Sequence, residues 1–410
     1  MEKPKVYRYR WVILVSMIPI LATTNLFWLT FAPITRIAED YYNVSSLSIA
    51  FLSICFMVVY IIMTLPASWL VDTYGFRIAV AVGAIITAVF GLSRGYMSSS
   101  FTIVVISQIG VATGQPFLTN SITKAAARWF PVDERATATG IASMATYIGM
   151  IIALVLTPIL TDQYGLESML SIYGIVALIS ACIFLILSKE HPPTSPSIVE
   201  ETEQTFSFKG LQQMLHKRDF IVLMACVFIV MGVFNAVMTW IENILSPRGI
   251  TPSQAGIAGG VLVILGLVGA VILPIISDRI HQRRLLLIIP LIASIPGFIG
   301  LTFFHQYSLI LLSCAFLGFF MMGVGPIAFQ YGAEIANPIP EGTSYGMLML
   351  MGQISGVIFT YSMDAFRVSS TDSLTPAMII LIGLMLIGLF LTSKLNESTM
   401  ILSSEHKEEM

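Results

Sequence analysis

The sequence predicts an all-α membrane protein with twelve transmembrane helices in two pseudo-symmetric six-helix bundles. Three observations predict it: too few charges for a water-soluble protein, a dozen apolar stretches of spanning length, and a repeat that relates the two halves. Of 410 residues, 56% are hydrophobic and 11% charged, with a mean hydropathy of +0.86. Soluble domains carry about 25% charged residues, so lipid must solvate most of this chain. The formal net charge of −2 and the lack of a basic tract argue against a nucleic-acid partner. Cys55, Cys182, Cys226 and Cys314 all lie inside apolar runs and read as small hydrophobic fillers. No metal-ligand spacing occurs, so neither a metal nor another cofactor is expected.

The first apolar run, 11–33, exceeds the roughly 7–15 residues of a leader peptide's apolar core and has no convincing cleavage site, so it reads as the first spanning helix. The following spans read at 47–71, 78–95, 101–127, 136–160 and 167–187. Each meets or approaches the roughly 20 residues needed to cross a bilayer. A polar interruption follows, with Pro192, Pro193, Pro196, Glu200, Glu201 and Glu203. Such a composition disfavours packing and reads as a linker. Six more spans follow at 220–245, 253–276, 285–304, 308–335, 343–364 and 374–393. The expected organisation is an N-terminal bundle (1–187), a linker (188–219), a C-terminal bundle (220–393) and a tail (394–410).

Basic residues give the orientation. With twelve spans, seventeen of the lysines and arginines fall on one side, and only Arg36, Arg94, Arg248 and Arg367 on the other. The positive-inside bias therefore places both termini and the linker in the cytoplasm. The expected location is the plasma membrane, or the inner membrane in a bacterium. The halves also repeat. Asn25 is matched by Asn235, 210 positions later; Asp72–Arg77 by Asp278–Arg283, 206 later; and Glu134–Gly140 by Glu341–Gly346, 207 later. Duplicated six-helix halves with a midplane solute site are a transporter pattern.

The loop Ser68-Trp-Leu-Val-Asp72-Thr-Tyr-Gly75-Phe-Arg77 resembles the signature of the major facilitator superfamily, although its first glycine and one basic position differ. The resemblance implies a gating role for Asp72 and Arg77, latching the cytoplasmic ends of the halves, with Asp278 and Arg283 as repeat counterparts. Glu334 and Glu341 join the gating candidates. The stretch Glu334-Ile-Ala-Asn-Pro338-Ile-Pro-Glu341-Gly-Thr-Ser344 resembles that of the feline leukaemia virus subgroup C receptor-related transporters, solute carrier family 49. Gly114-Gln115, Trp129-Phe130, Pro66–Asp72 and Asn25-Leu-Phe27 also resemble that family. Its members are linked to choline, related amines and haem. The resemblance implies a cavity lined by Gln115 and Gln353, with aromatic residues that hold a quaternary ammonium by cation–π attraction. The sequence departs there: Asn235 stands at the helix 7 tyrosine position, and Trp28 lies one residue from the family tryptophan.

The residues themselves point to the same depth. Asn25, Thr30, Gln115, Thr119, Asn120, Tyr147, Asn235, Thr239 and Gln353 are polar residues within spans. Amides in lipid must face the bundle interior or a wet cavity. Either they join helices by hydrogen bonds, worth about 0.6 kcal/mol each, or they contact a solute. The solute candidates are Gln115, Gln353, Asn25, Trp28, Asn235, Asn120, Phe31 and Tyr147. No carboxylate or histidine falls near the midplane. Glu242, about 33 Å beyond the start of its span by the 1.5 Å rise, is expected at a solvated interface; it and Glu334 are the candidate coupling residues. Neutral amides and aromatics suit an amine, a zwitterion or an amphipathic metabolite. The expected activity is alternating-access transport, as a facilitator and a monomer in the lipid bilayer, with a small-molecule substrate. Proton-coupled efflux of amphipathic compounds is the alternative, and a transporter-fold receptor that binds without transport is the alternative of another class. No catalytic arrangement is present at matching depth, so no enzyme is expected.

Overall fold

Backbone groups in hydrocarbon must be satisfied within their own segment, which makes helix the required conformation for each apolar run. The computed structural model describes residues 7–131, 134–194, 212–280, 282–337, 339, 341–368 and 370–397. Among them, twelve helices are long and apolar enough to cross a membrane. In the N-terminal half, α1 runs Tyr9–Leu29, passes through a 3-10 turn at Ala32–Ile34 and continues as an outer segment, Thr35–Tyr42. Next come α2 (Ser46–Tyr74), α3 (Phe76–Tyr96), α4 (Phe101–Thr119, then Ser121–Trp129), α5 (Arg135–Tyr164) and α6 (Leu166–Leu187). The C-terminal half holds α7 (Arg218–Thr239, followed by a short turn of helix Ile241–Leu245), α8 (Pro252–Ile280), α9 (Arg283–Phe303), α10 (Tyr307–Ala336), α11 (Glu341–Ala365) and α12 (Thr375–Thr392). The chain divides into two compact units, Met1–Thr202 and Glu203–Met410.

The distribution of side chains fits a lipid solvent. Leu65, Trp69 and Ile186 are 69%, 60% and 80% exposed, an arrangement that costs free energy in water and none in hydrocarbon. Inside each half, helices approach closely where glycine removes the side chain, as expected where van der Waals packing drives association. In the C-terminal half α8 packs on α10. A Cβ at Gly318 would lie 1.9 Å from the Leu262 carbonyl oxygen, and one at Gly269 would lie 1.9 Å from that of Phe319.

Two corners of the N-terminal half share one construction. Asp72-Thr-Tyr-Gly75 ends α2 and Asp162-Gln-Tyr-Gly165 ends α5. Gly75 (φ 89°, ψ 168°) and Gly165 (φ 81°, ψ 163°) take a conformation nearly closed to other residues. This lets α3 and α6 start one residue after the preceding helix stops. The recurrence relates helices 1–3 to helices 4–6, a second repeat nested within the half.

The first helix of each half is interrupted towards the side opposite the termini. In α1, Pro33 has no N–H for the Leu29 carbonyl, and the helix gives way to the 3-10 turn. In α7 the chain turns at Trp240 (φ −100°, ψ 15°). Thr30 and Trp240, the first residues beyond the two inner segments, stand 210 positions apart, the spacing that relates Asn25 to Asn235.

Candidate functional site

Five of the residues nominated for solute contact lie at similar distances along their own helices. Counting about 1.5 Å per residue from the helix ends that carry the termini side's charged loops, Asn25, Gln115, Tyr147, Asn235 and Gln353 lie about 18–26 Å along α1, α4, α5, α7 and α11. Their surroundings separate them. Gln115 and Gln353 are half-buried, and neither side-chain amide has a hydrogen-bond partner among the described residues. Half-buried Trp28 has a buried indole N–H without a partner among the described residues, while its carbonyl accepts from Ser53 Oγ at 3.0 Å. Tyr147 is half-buried with no hydroxyl partner among the described residues.

The other nominated residues are engaged within the protein. Asn25, 6% exposed, donates to the Leu21 carbonyl at 3.3 Å. Asn235, 7% exposed, donates to the Gly352 carbonyl at 3.3 Å, which ties α7 to α11 beside Gln353. Asn120 sits at the interruption of α4; its amide donates to Thr64 Oγ1 at 3.1 Å and Ser68 Oγ at 3.0 Å, and it accepts from Tyr60 at 3.3 Å. That network ties α4 to α2. Phe31 is 1% exposed, with the Arg94 guanidinium 5.6 Å from its ring centre.

The gating candidates form different networks in the two halves. Arg283 reaches Asp278 at 2.5 Å and Glu334 at 3.1 Å. Asp72 pairs instead with Lys124 at 3.6 Å. Arg77 donates through Nε to Ser188 Oγ at 3.4 Å, and its backbone N–H donates to Glu190 Oε2 at 2.8 Å. In the C-terminal half the Arg283 N–H donates to Glu397 Oε1 at 2.8 Å. Glu190 and Glu397 are 207 positions apart, so each half ends its sixth helix by placing a carboxylate at the N-terminus of its third, where the helix dipole favours negative charge. The sequence reading missed this pair, although the 207-residue offset was there to find. The side chain of Glu341 lies outside the described residues; Glu134, its repeat counterpart, pairs with Arg10 at 2.9 Å.

One expectation needs correction. Glu242 is not at a solvated interface: it is 1% exposed. The estimate of its depth assumed a straight helix, whereas the chain turns at Trp240 and all of Ile241–Leu245 is buried, packed against α8. Arg94, counted with the charges of the outer side, is 0% exposed in the last turn of α3. It donates to Gln108 Oε1 at 2.6 Å and Thr30 Oγ1 at 3.4 Å. One arginine closing an apolar helix looks like a flanking charge, and no spacing signal marks it as internal. Arg248, also counted as an outer loop charge, donates to the carbonyls of Ile244 and Phe304, each at 2.9 Å. Burial lowers its pKa from the ordinary arginine value.

Two halves of six helices, repeated amides at one depth and a charged corner after the second helix of each half define a transporter of the major facilitator class. The Major Facilitator Superfamily profile matches residues 9–360, and the chain belongs to that superfamily. Among curated relatives it is similar to solute carrier family 49 member A3 of Xenopus tropicalis, at 29% identity over 87% of this chain and 77% of the relative. It is also similar to the choline/ethanolamine transporter FLVCR2 of Homo sapiens, at 27% identity over 87% of this chain and 72% of the relative. Among solved structures, a bacterial homologue of the human lysosomal transporter Spinster, inward-facing and unoccupied, superposes with a TM-score of 0.77. At 16% identity, that match covers 95% of this chain and 97% of the homologue and shows a shared fold.

Proposed function

We propose that the protein is an alternating-access facilitator for a small organic amine or zwitterion, working as a monomer with both termini cytoplasmic, in the plasma membrane or a bacterial inner membrane. The observation that carries this reading is the pair of half-buried amides, Gln115 and Gln353, one in each half and neither with a side-chain partner among the described residues. An amide in the membrane without a partner is costly, and a polar solute group would supply one. The Trp28 indole adds an unengaged N–H and a π face, which suits a soft cation. Asn235 stands where the resembling family has tyrosine, so the solute would meet fewer aromatic faces than in that family. Asp72, Arg77, Asp278, Arg283, Glu334 and Glu341 are the proposed gating residues. The relatives named as choline/ethanolamine transporters make choline and ethanolamine the first probes.

The test is reconstitution. In proteoliposomes, labelled choline or ethanolamine should show saturable flux, independent of a pH gradient, and reduced about tenfold or more in Gln115→Ala and Gln353→Ala. Saturable flux unchanged in both variants would refute the site. The buried Glu242 carboxylate favours one second reading, proton-coupled efflux of amphipathic compounds. That reading requires flux that follows an imposed pH gradient and is lost in Glu242→Gln.

A further inference from the structure

Arg94 poses a physical problem that the proposed transport cycle leaves unanswered. The guanidinium is fully buried, no carboxylate lies within ion-pair distance among the described residues, and its Nε–H has no partner. Taking an ion out of water is expensive unless hydrogen bonds and nearby dipoles replace the lost solvation. What replaces it here converges on a single feature, the interruption of α1. The guanidinium carbon lies 4.2 Å from the Phe27 ring centre and 5.6 Å from that of Phe31, one ring from each side of Thr30, and Nη2 donates to Thr30 itself at 3.4 Å. The Phe27 ring is packed against Gly91, one turn before Arg94 on α3, where an added Cβ would come within 2.9 Å of it.

Gln108 completes the arrangement from α4. Its Oε1 accepts from Arg94 at 2.6 Å, while Nε2 donates to the carbonyls of Phe27 at 2.9 Å and Leu52 at 3.0 Å. The Phe27 carbonyl belongs to the last turn of the inner segment of α1, where helical acceptors lose their partners. Arg94 and Gln108 together thus satisfy the interruption and attach it to α2, α3 and α4. Trp28 lies between the two clasped residues, with its carbonyl held by Ser53. The C-terminal half has a parallel: Arg367 lies 4.9 Å from the ring centre of Trp240, the residue at the interruption of α7.

We infer that Arg94 is a positioning residue: with Gln108 it clasps the interruption of α1 and thereby sets the backbone that carries Trp28 towards the solute. The role of Trp28 rests on the transport reading above; the clasp itself does not. Arginine is suited to the task because its planar fork gives directed hydrogen bonds while its faces lie against rings. Lysine would keep the charge without the fork.

Hydrogen exchange and transport together test this. The purified full-length protein and its Arg94→Met and Arg94→Lys variants are compared by hydrogen exchange, with residues 58–74 of α2 as the internal control. The expected result is exchange at residues 28–36 at least tenfold faster in Arg94→Met, a smaller increase in Arg94→Lys, and an unchanged control. In proteoliposomes with labelled choline, Arg94→Met should raise KM several-fold with little change in maximal flux, and adding Trp28→Ala should raise KM no further. Unchanged exchange at 28–36 in either folded variant overturns the clasp, as does an equal increase in the control. If Arg94→Met does not fold, the Arg94→Lys comparison decides by the same criteria. Faster exchange with an unchanged KM, or fully additive KM effects, overturns the positioning of Trp28. A wild-type protein with no saturable choline flux refutes that substrate, and the exchange result still decides the clasp.

Discussion

At the scale of single residues, burial decides which charges matter. Arg283 holds two carboxylates, but the Asp278 side chain is 66% exposed and that of Glu334 only 9%. An exposed pair contributes about 0–1 kcal/mol, whereas a hydrogen bond to a buried charge is worth about 1.5–3 kcal/mol, and losing it leaves the partner poorly solvated. Asp278→Asn should therefore shift thermal unfolding in detergent only slightly, and Glu334→Ala should lower stability by about 2 kcal/mol or more. The order of the two effects is the outcome to check. Asn120 belongs with the structural polar residues, since its amide already bonds Thr64 and Ser68. Asn120→Ala should cost about 1 kcal/mol in the same measurement while leaving the KM for a transported amine unchanged.

At the scale of helices, the constraints come from backbone geometry and close approach. Gly165 has φ 81° and nothing within 4 Å of the position a Cβ would occupy. Gly165→Ala therefore isolates conformational strain from crowding and should destabilise by about 1–3 kcal/mol. Gly318 is the opposite case. Its helix is regular, but the Leu262 carbonyl occupies the space for a side chain. Gly318→Leu should force α8 and α10 apart and lower the unfolding temperature more than Gly165→Ala does. A ranking in the reverse order would contradict the packing described here. The interruptions of α1 and α7 belong to this scale too: the proline in α1 was visible, but the turn at Trp240 has no proline or glycine to announce it.

At the scale of the whole molecule, the two units each carry their own buried core, and the boundary falls between Thr202 and Glu203. Because each half satisfies its own backbone and buries its own helix contacts, chains 1–202 and 203–410 expressed together should assemble and recover a substantial share of saturable flux. Co-purification and uptake check this. Cysteines introduced singly at the exposed Thr194 and Asn396 of a cysteine-free protein should react with a membrane-impermeant reagent only from the cytoplasmic face. Labelling from outside would overturn the orientation.

The chain's own composition and periodicity determined the fold class: the spans, their number and the internal repeat are local consequences of hydrocarbon as solvent, which leaves helix as the one conformation an apolar segment can adopt. The depth of Gln115, Gln353 and Asn25 was likewise readable, since depth follows from rise per residue. What those side chains touch was not. Asn25, Asn120, Asn235 and Gln115 look alike in a one-dimensional pattern, yet three are bonded within the protein and the Gln115 amide has no partner among the described residues. The burial of Glu242 and Arg94 was equally hidden, because it depends on where a helix turns and on which neighbours arrive from distant sequence. Those are properties of packing, and only the tertiary structure decided them.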